Sequence, residues 1–278
     1  MTDKREVLSL IQSVLTKISL EEFPEVCEYL SSLQKKNGLR SGDDSLSPYE
    51  IANAILTMDK PSRFSGCLID LITGLFEMEI EDGNADAMND LGALYYDGNR
   101  GFEQSFEKAV RYYKMAAENG SRQAQENLGY CYYYGRDGEP DYEKAFHYFA
   151  LGAFDGHLIS LYKIGDMYLN GLYVAKNEKE AFFIFMRCIE TMTEEAEGRV
   201  AGPVYLRLGR MFLGGIGVQQ NLRNALICFQ KAEAFLYDMV ISGDVMYRKS
   251  LNAAVKGQEE TRENLAEKLP DDSWVFDH

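Results

Sequence analysis

Long apolar runs, paired cysteines and basic clusters are all missing from this chain of 278 residues. Crossing a bilayer takes about 20 consecutive apolar residues, so no transmembrane helix is expected. The start, Met1-Thr2-Asp3-Lys4-Arg5-Glu6, runs into a mixed amphipathic stretch without the apolar region of a signal peptide. The five cysteines, Cys27, Cys67, Cys131, Cys188 and Cys228, form no CxxC. Neither a disulfide framework nor a cysteine metal site is therefore expected, and reduced thiols in a cytoplasmic protein are. The three histidines, His147, His157 and His278, form no HExxH-type ligand pair, and His147 between Phe146 and Tyr148 reads as structural. Arg and Lys number 29 against 44 acidic residues, and the net charge is −15. No segment carries a basic excess, which argues against nucleic acid or an anionic membrane as partner. A charge of this sign favours a basic protein partner, with binding weakened by salt.

What the chain does have is an internal repeat. Leu91-Gly92, Leu128-Gly129, Ile164-Gly165 and Leu208-Gly209 open the same pattern, spaced by 37, 36 and 44 residues. An aromatic follows three residues after each Gly: Tyr95, Tyr132, Tyr168 and Phe212. A second Gly follows after six: Gly98, Gly135, Gly171 and Gly215. An apolar stripe then starts at Ala109, Ala145, Ala181 and Ala225. Such periods mark a stacked array of helix pairs. Ala87, Leu91, Leu94 and Tyr95 make one helical face, and Ala109, Tyr112, Tyr113 and Ala116 another. The second Gly falls where the first helix should stop, a position that often needs positive φ. The first Gly lies inside a helix, where it costs about 0.5–1 kcal/mol relative to Ala. Close approach of a neighbouring helix is the expected compensation, with Tyr113, Phe149, Phe185 and Phe229 filling the space beyond.

This pattern resembles the Sel1-like repeat, a relative of the tetratricopeptide repeat. It is carried by Ala87, Leu91, Gly92, Tyr95, Gly98, Lys108, Ala109, Tyr112 and Tyr113 in the first copy. The second copy repeats it with Ala124, Leu128, Gly129, Tyr132, Gly135, Lys144, Ala145, Tyr148 and Phe149. Glu180 and Asn224 replace the Lys in the third and fourth copies. The third copy carries about eight extra residues near 191–200, read as a longer loop or a lengthened second helix. The resemblance implies an all-α, right-handed α-solenoid of stacked antiparallel helix pairs. Its four repeats are expected at 84–120, 121–156, 157–200 and 201–240.

The flanks read as caps. Residues 1–47 hold two amphipathic stretches and the turn-rich linker 37–46. Residues 48–83 read as a degenerate repeat, with Ser47 as N-cap, Pro48 at the first helical position and Glu50 at the third. Residues 241–278 read as a closing helix, with Leu251, Val255 and Leu265 inward, and a tail holding the only Trp, Trp274.

No cofactor or metal is indicated. Gly214-Gly215-Ile216-Gly217-Val218 lacks the GxGxxG spacing and the Lys-Ser/Thr of phosphate loops. Helices of the first type are expected to line the concave side. Relative to the signature Gly, positions −3, +1 and +5 point away from the core. There lie the candidate partner-binding residues Asn89, Glu126, Tyr130, Tyr134, Tyr162, Asp166 and Arg210. Tyr130, Tyr134 and Tyr162 are expected to form an exposed aromatic patch, tyrosine being a good interface anchor. The resemblance implies a non-catalytic protein-interaction scaffold that binds a peptide or protein in this groove. Two alternatives stand beside it: an acidic immunity-type or inhibitor protein for one basic partner, and a hydrolase using groove carboxylates.

Overall fold

The structure is a computed structural model that describes residues 4–37, 47–58 and 63–268. The linker after Asn37 and the Trp274 tail lie outside these residues. Within them the chain is all-α, with thirteen α-helices, one short 3-10 turn and no strand. The order is α1 (Lys4–Leu15), α2 (Pro24–Asn37), α3 (Pro48–Thr57), α4 (Gly66–Glu81), α5 (Ala85–Asp97), α6 (Phe106–Glu118) and α7 (Arg122–Tyr134). Then come α8 (Tyr142–Phe154), α9 (Leu158–Asn170), α10 (Glu178–Glu190), α11 (Glu194–Gly214), α12 (Leu222–Ile241) and α13 (Arg248–Lys268). The architecture is a solenoid of helix pairs. Two compact units divide it, Met1–Asp141 and Tyr142–His278, and the division falls between the two helices of the second repeat.

Local chemistry sets the helix ends. Ser47 and Glu50 form a reciprocal capping box at the start of α3. Asn84 caps α5 by accepting from the amides of Asp86 and Ala87. Ser105, Asn177 and Asn221 cap α6, α10 and α12 in the same way. Helices α5, α7, α9 and α11 each end on the second repeat Gly in the left-handed region. At Gly135, with φ 60°, the amide of Arg136 reaches back to the Cys131 carbonyl at 2.9 Å, which seals the last turn of α7.

In the first unit, α1 and α2 contribute Val7, Ile11, Val26 and Leu30 to a core shared with α3 and α4. The expected α4 stripe of Leu68, Leu71, Ile72, Leu75 and Phe76 is fully buried there. In the second unit, α9, α10 and α11 pack around Phe185, Cys188, Val204 and Leu208, and α12 with α13 around Phe229, Leu236 and Ala254.

The mid-helix glycines meet aromatic rings. A Cβ on Gly92 would stand 2.8 Å from the Tyr113 ring, and on Gly165 2.6 Å from Phe185. On Gly209 it would stand 2.8 Å from Phe229. Each ring lies against the glycine itself rather than in a space beyond it. The helix-propensity cost of the Gly is thus offset by seating a large buried ring.

Two expectations need correction. The extra residues of the third copy lengthen neither a loop nor the second helix, because α10 ends at Glu190 with 13 residues. They extend the next first-type helix, α11, to 21 residues. The sequence from 194 to 197, Glu-Glu-Ala-Glu, is rich in strong helix formers. In α13 the inward stripe is Ala254, Gln258 and Thr261, whereas Val255 is exposed. A Cβ on Gly257 would stand 2.5 Å from Phe229, so α13 runs close to α12 at this small residue.

Ser160 occupies the position held by Ala87 and Ala124 in earlier copies, fully buried, with no hydrogen-bond partner for its Oγ. An unpaired buried hydroxyl costs about 1–3 kcal/mol in desolvation. Ser160→Ala is expected to keep or raise stability by about 1 kcal/mol in urea unfolding. A clear loss would show that the hydroxyl has a partner.

Candidate functional site

The candidate residues divide by depth along the first-type helices. Position −3 is buried in all four copies: Asn89, Glu126, Tyr162 and Leu206. Position +5, at the helix end, is exposed in all four: Asp97, Tyr134, Asn170 and Gly214. Position +1 is mixed, with Tyr130 half-buried, Asp166 buried and Arg210 exposed. The expectation of an open face at Asn89, Glu126, Tyr162 and Asp166 therefore fails. For Asn89, Tyr162 and Asp166 the reason is packing: within each unit the first-type helix of the next repeat covers that face.

The covering helix contributes a polar residue at −2. In the first unit Asn127 donates to Asn89 at 3.0 Å, and Asn89 donates to the neighbouring Asp90 at 3.2 Å. Tyr49 on α3 donates to the other Asp90 oxygen at 2.9 Å. One hydrogen-bonded chain thus joins α3, α5 and α7. Burial, followed by the bond to Asp90, pushes the Tyr49 hydroxyl up to about 12. In the second unit Arg207 grips both oxygens of buried Asp166. Its guanidinium also donates to the Pro203 carbonyl at 2.8 Å and lies 5.1 Å from the Tyr162 ring centre. Lys163 holds the same repeat position and is buried. These rungs were missed from sequence, although a polar residue at −2 recurs in every copy: Asp90, Asn127, Lys163 and Arg207.

One aromatic surface remains in the first unit. Tyr134 is 48% exposed and stacks on Tyr130, with ring centres 6.2 Å apart. Tyr133 meets Tyr134 edge-on at 4.9 Å. Arg136 lies over Tyr134, Tyr96 and Phe106, at 5.5, 5.6 and 5.0 Å from the ring centres. Its Nε donates to the Tyr96 hydroxyl at 3.1 Å. The structure thus brings Tyr130 and Tyr134 together, while Tyr162 is buried in the second unit beneath Arg207.

Burial pushes the Cys131 and Cys188 thiols up to about 12 and Cys228 to about 11, so thiolate is scarce at neutral pH. The five cysteines are free. Among the described residues no group of three or more His, Cys, Asp or Glu is placed to hold a metal. None of the described helices is long and apolar enough to cross a membrane. In the second unit a cavity of about 630 Å³ lies between the start of α10 and residues 215–219. Its one carboxylate, Glu178, pairs with Lys176 at 2.7 Å. Gly217 there packs on the Glu178 peptide, which explains the glycine run without a phosphate.

The Sel1 repeat family matches residues 85–121, 122–157, 158–185 and 203–234. The chain is a Sel1-repeat protein. It is similar to the protein sel-1 homolog 2 of Rattus norvegicus, 36% identical over 176 residues, covering 63% of this chain and 24% of that one. It is also similar to the ERAD-associated E3 ubiquitin-protein ligase component HRD3B of Arabidopsis thaliana, 32% identical over 107 residues. That match covers 38% of this chain and 17% of the relative. The chain thus spans about a quarter or less of the curated relatives it matches. Among solved structures, a Sel1 repeat protein from Oxalobacter formigenes superposes with a TM-score of 0.54 at 21% identity. The overlap covers 73% of this chain and 78% of that one, and at this identity it supports the fold alone. Sel1-repeat proteins bind protein partners.

Proposed function

We propose that this Sel1-repeat protein is a non-catalytic adaptor that docks a peptide or protein segment on the tyrosine surface of its first unit. The observation that carries the reading is the stacked Tyr130–Tyr134 pair, half open to solvent, met by Tyr133 and linked through Arg136 to Tyr96 and Phe106. Tyrosines buried on binding supply apolar area while their hydroxyls keep a polar partner, which makes them strong anchors. Free cysteines support a reducing compartment as its place of work.

Affinity capture with mass spectrometry identifies the partner, and the Tyr130→Ala, Tyr134→Ala double variant tests the surface. Binding is expected to weaken at least tenfold, since hot-spot aromatics are worth about 2 kcal/mol or more. Helicity by circular dichroism should not change. An unaltered affinity would place the partner elsewhere on the protein.

A further inference from the structure

We propose that Arg136 is a carboxylate-recognition site within the tyrosine surface, reading an Asp or Glu side chain of the docked segment. The inference rests on the docking surface just described and names the chemistry it selects.

Arg136 follows the capping Gly135, and its own amide is tied to the Cys131 carbonyl. The residue in this place of the sealing motif is commonly apolar. The third and fourth copies obey that rule with Leu172 and Ile216, whose amides make the same bond to Met167 and Met211. An exposed arginine in the second copy is therefore not required to end the helix. Three ring contacts and the Nε bond to Tyr96 hold its side chain still. Guanidinium has five N–H donors, and only Nε is engaged, so the terminal fork keeps four. No carboxylate among the described residues pairs with it, in a chain where acidic residues outnumber basic ones 44 to 29. A planar fork immobilised beforehand loses little entropy on binding, and its geometry matches a carboxylate in two parallel bonds.

Charge decides the class of ligand against the first impression. The overall −15 attracts cations. Yet the ring faces that would hold a partner's Lys or Arg already hold Arg136, which repels a second cation. An acidic side chain flanked by apolar or aromatic residues meets the fork and the exposed part of Tyr134 together.

The test selects a displayed library of random dodecapeptides on the full chain and retains those lost on Tyr134→Ala. These peptides are expected to carry an Asp or Glu beside an apolar residue. Changing that Asp to Asn, or Glu to Gln, should weaken binding about tenfold or more to the wild-type protein. The same change should cost nothing further against Arg136→Gln, and Arg136→Lys should recover only part of the affinity. Unfolding midpoints of both variants confirm their folding. Tyr134-dependent peptides without an acidic residue, or an equal loss on wild type and Arg136→Gln, would overturn the carboxylate site and leave the docking surface standing. A selection that yields no Tyr134-dependent peptide would overturn both.

Discussion

Asp166→Ala is expected to destabilise the second unit by about 3 kcal/mol, measured as a shift in the urea unfolding curve. The carboxylate has a side-chain exposure of 7% and accepts two bonds from Arg207, itself 23% exposed. Removing it strands a guanidinium that is still held by the Pro203 carbonyl and the Tyr162 ring. Breaking one side of a buried pair costs more than removing both, because the remaining charge has lost its partner. The double variant Asp166→Leu, Arg207→Met should therefore recover much of the loss. If Asp166→Ala costs less than about 1 kcal/mol, the pair behaves as a surface ion pair and the rung between α9 and α11 is not structural.

Phe229→Ala carries a comparable expectation, about 3–5 kcal/mol, since it empties a fully buried ring site. The ring packs closely on both Gly209 of α11 and Gly257 of α13. This makes Gly209→Ala informative. Helix propensity alone would favour the alanine by about 1 kcal/mol. The added methyl would stand 2.8 Å from a ring that also packs closely on Gly257, so the ring has little room to move. Overpacking of this kind costs about 1–3 kcal/mol, and a net loss is expected in thermal unfolding. A stabilised Gly209→Ala variant would show that the ring has room.

The sequence made the local features readable. Helix pairs, their glycine ends and the Ser47 capping box depend on residues a few positions apart, and all appear where expected. The α13 stripe and the long α11 were less legible, because close packing of neighbouring helices selected small residues in one and helix formers extended the other. The same limit governs the candidate site. A wheel drawn for one helix puts Asn89, Glu126, Tyr162 and Asp166 on a free face, yet it contains nothing about the helix that lies beside it. Tyr130 and Tyr134 were found because five residues, 130–134, hold four tyrosines, more than one buried face needs. Arg136 was missed, although in register it is the one charged residue at its place, beside Asn99 in the first copy, Leu172 in the third and Ile216 in the fourth.

Hydrogen–deuterium exchange on the full chain, with and without a bound partner, tests the docking surface most directly. The amides to follow are those of the loops at 97–105 and 135–141, which frame Tyr96, Phe106, Tyr134 and Arg136 and exchange more readily than helix interiors. Partner binding is expected to slow exchange in both loops and leave the loops of the second unit unchanged. Protection confined to the second unit, with 97–105 and 135–141 unaffected, would contradict the account.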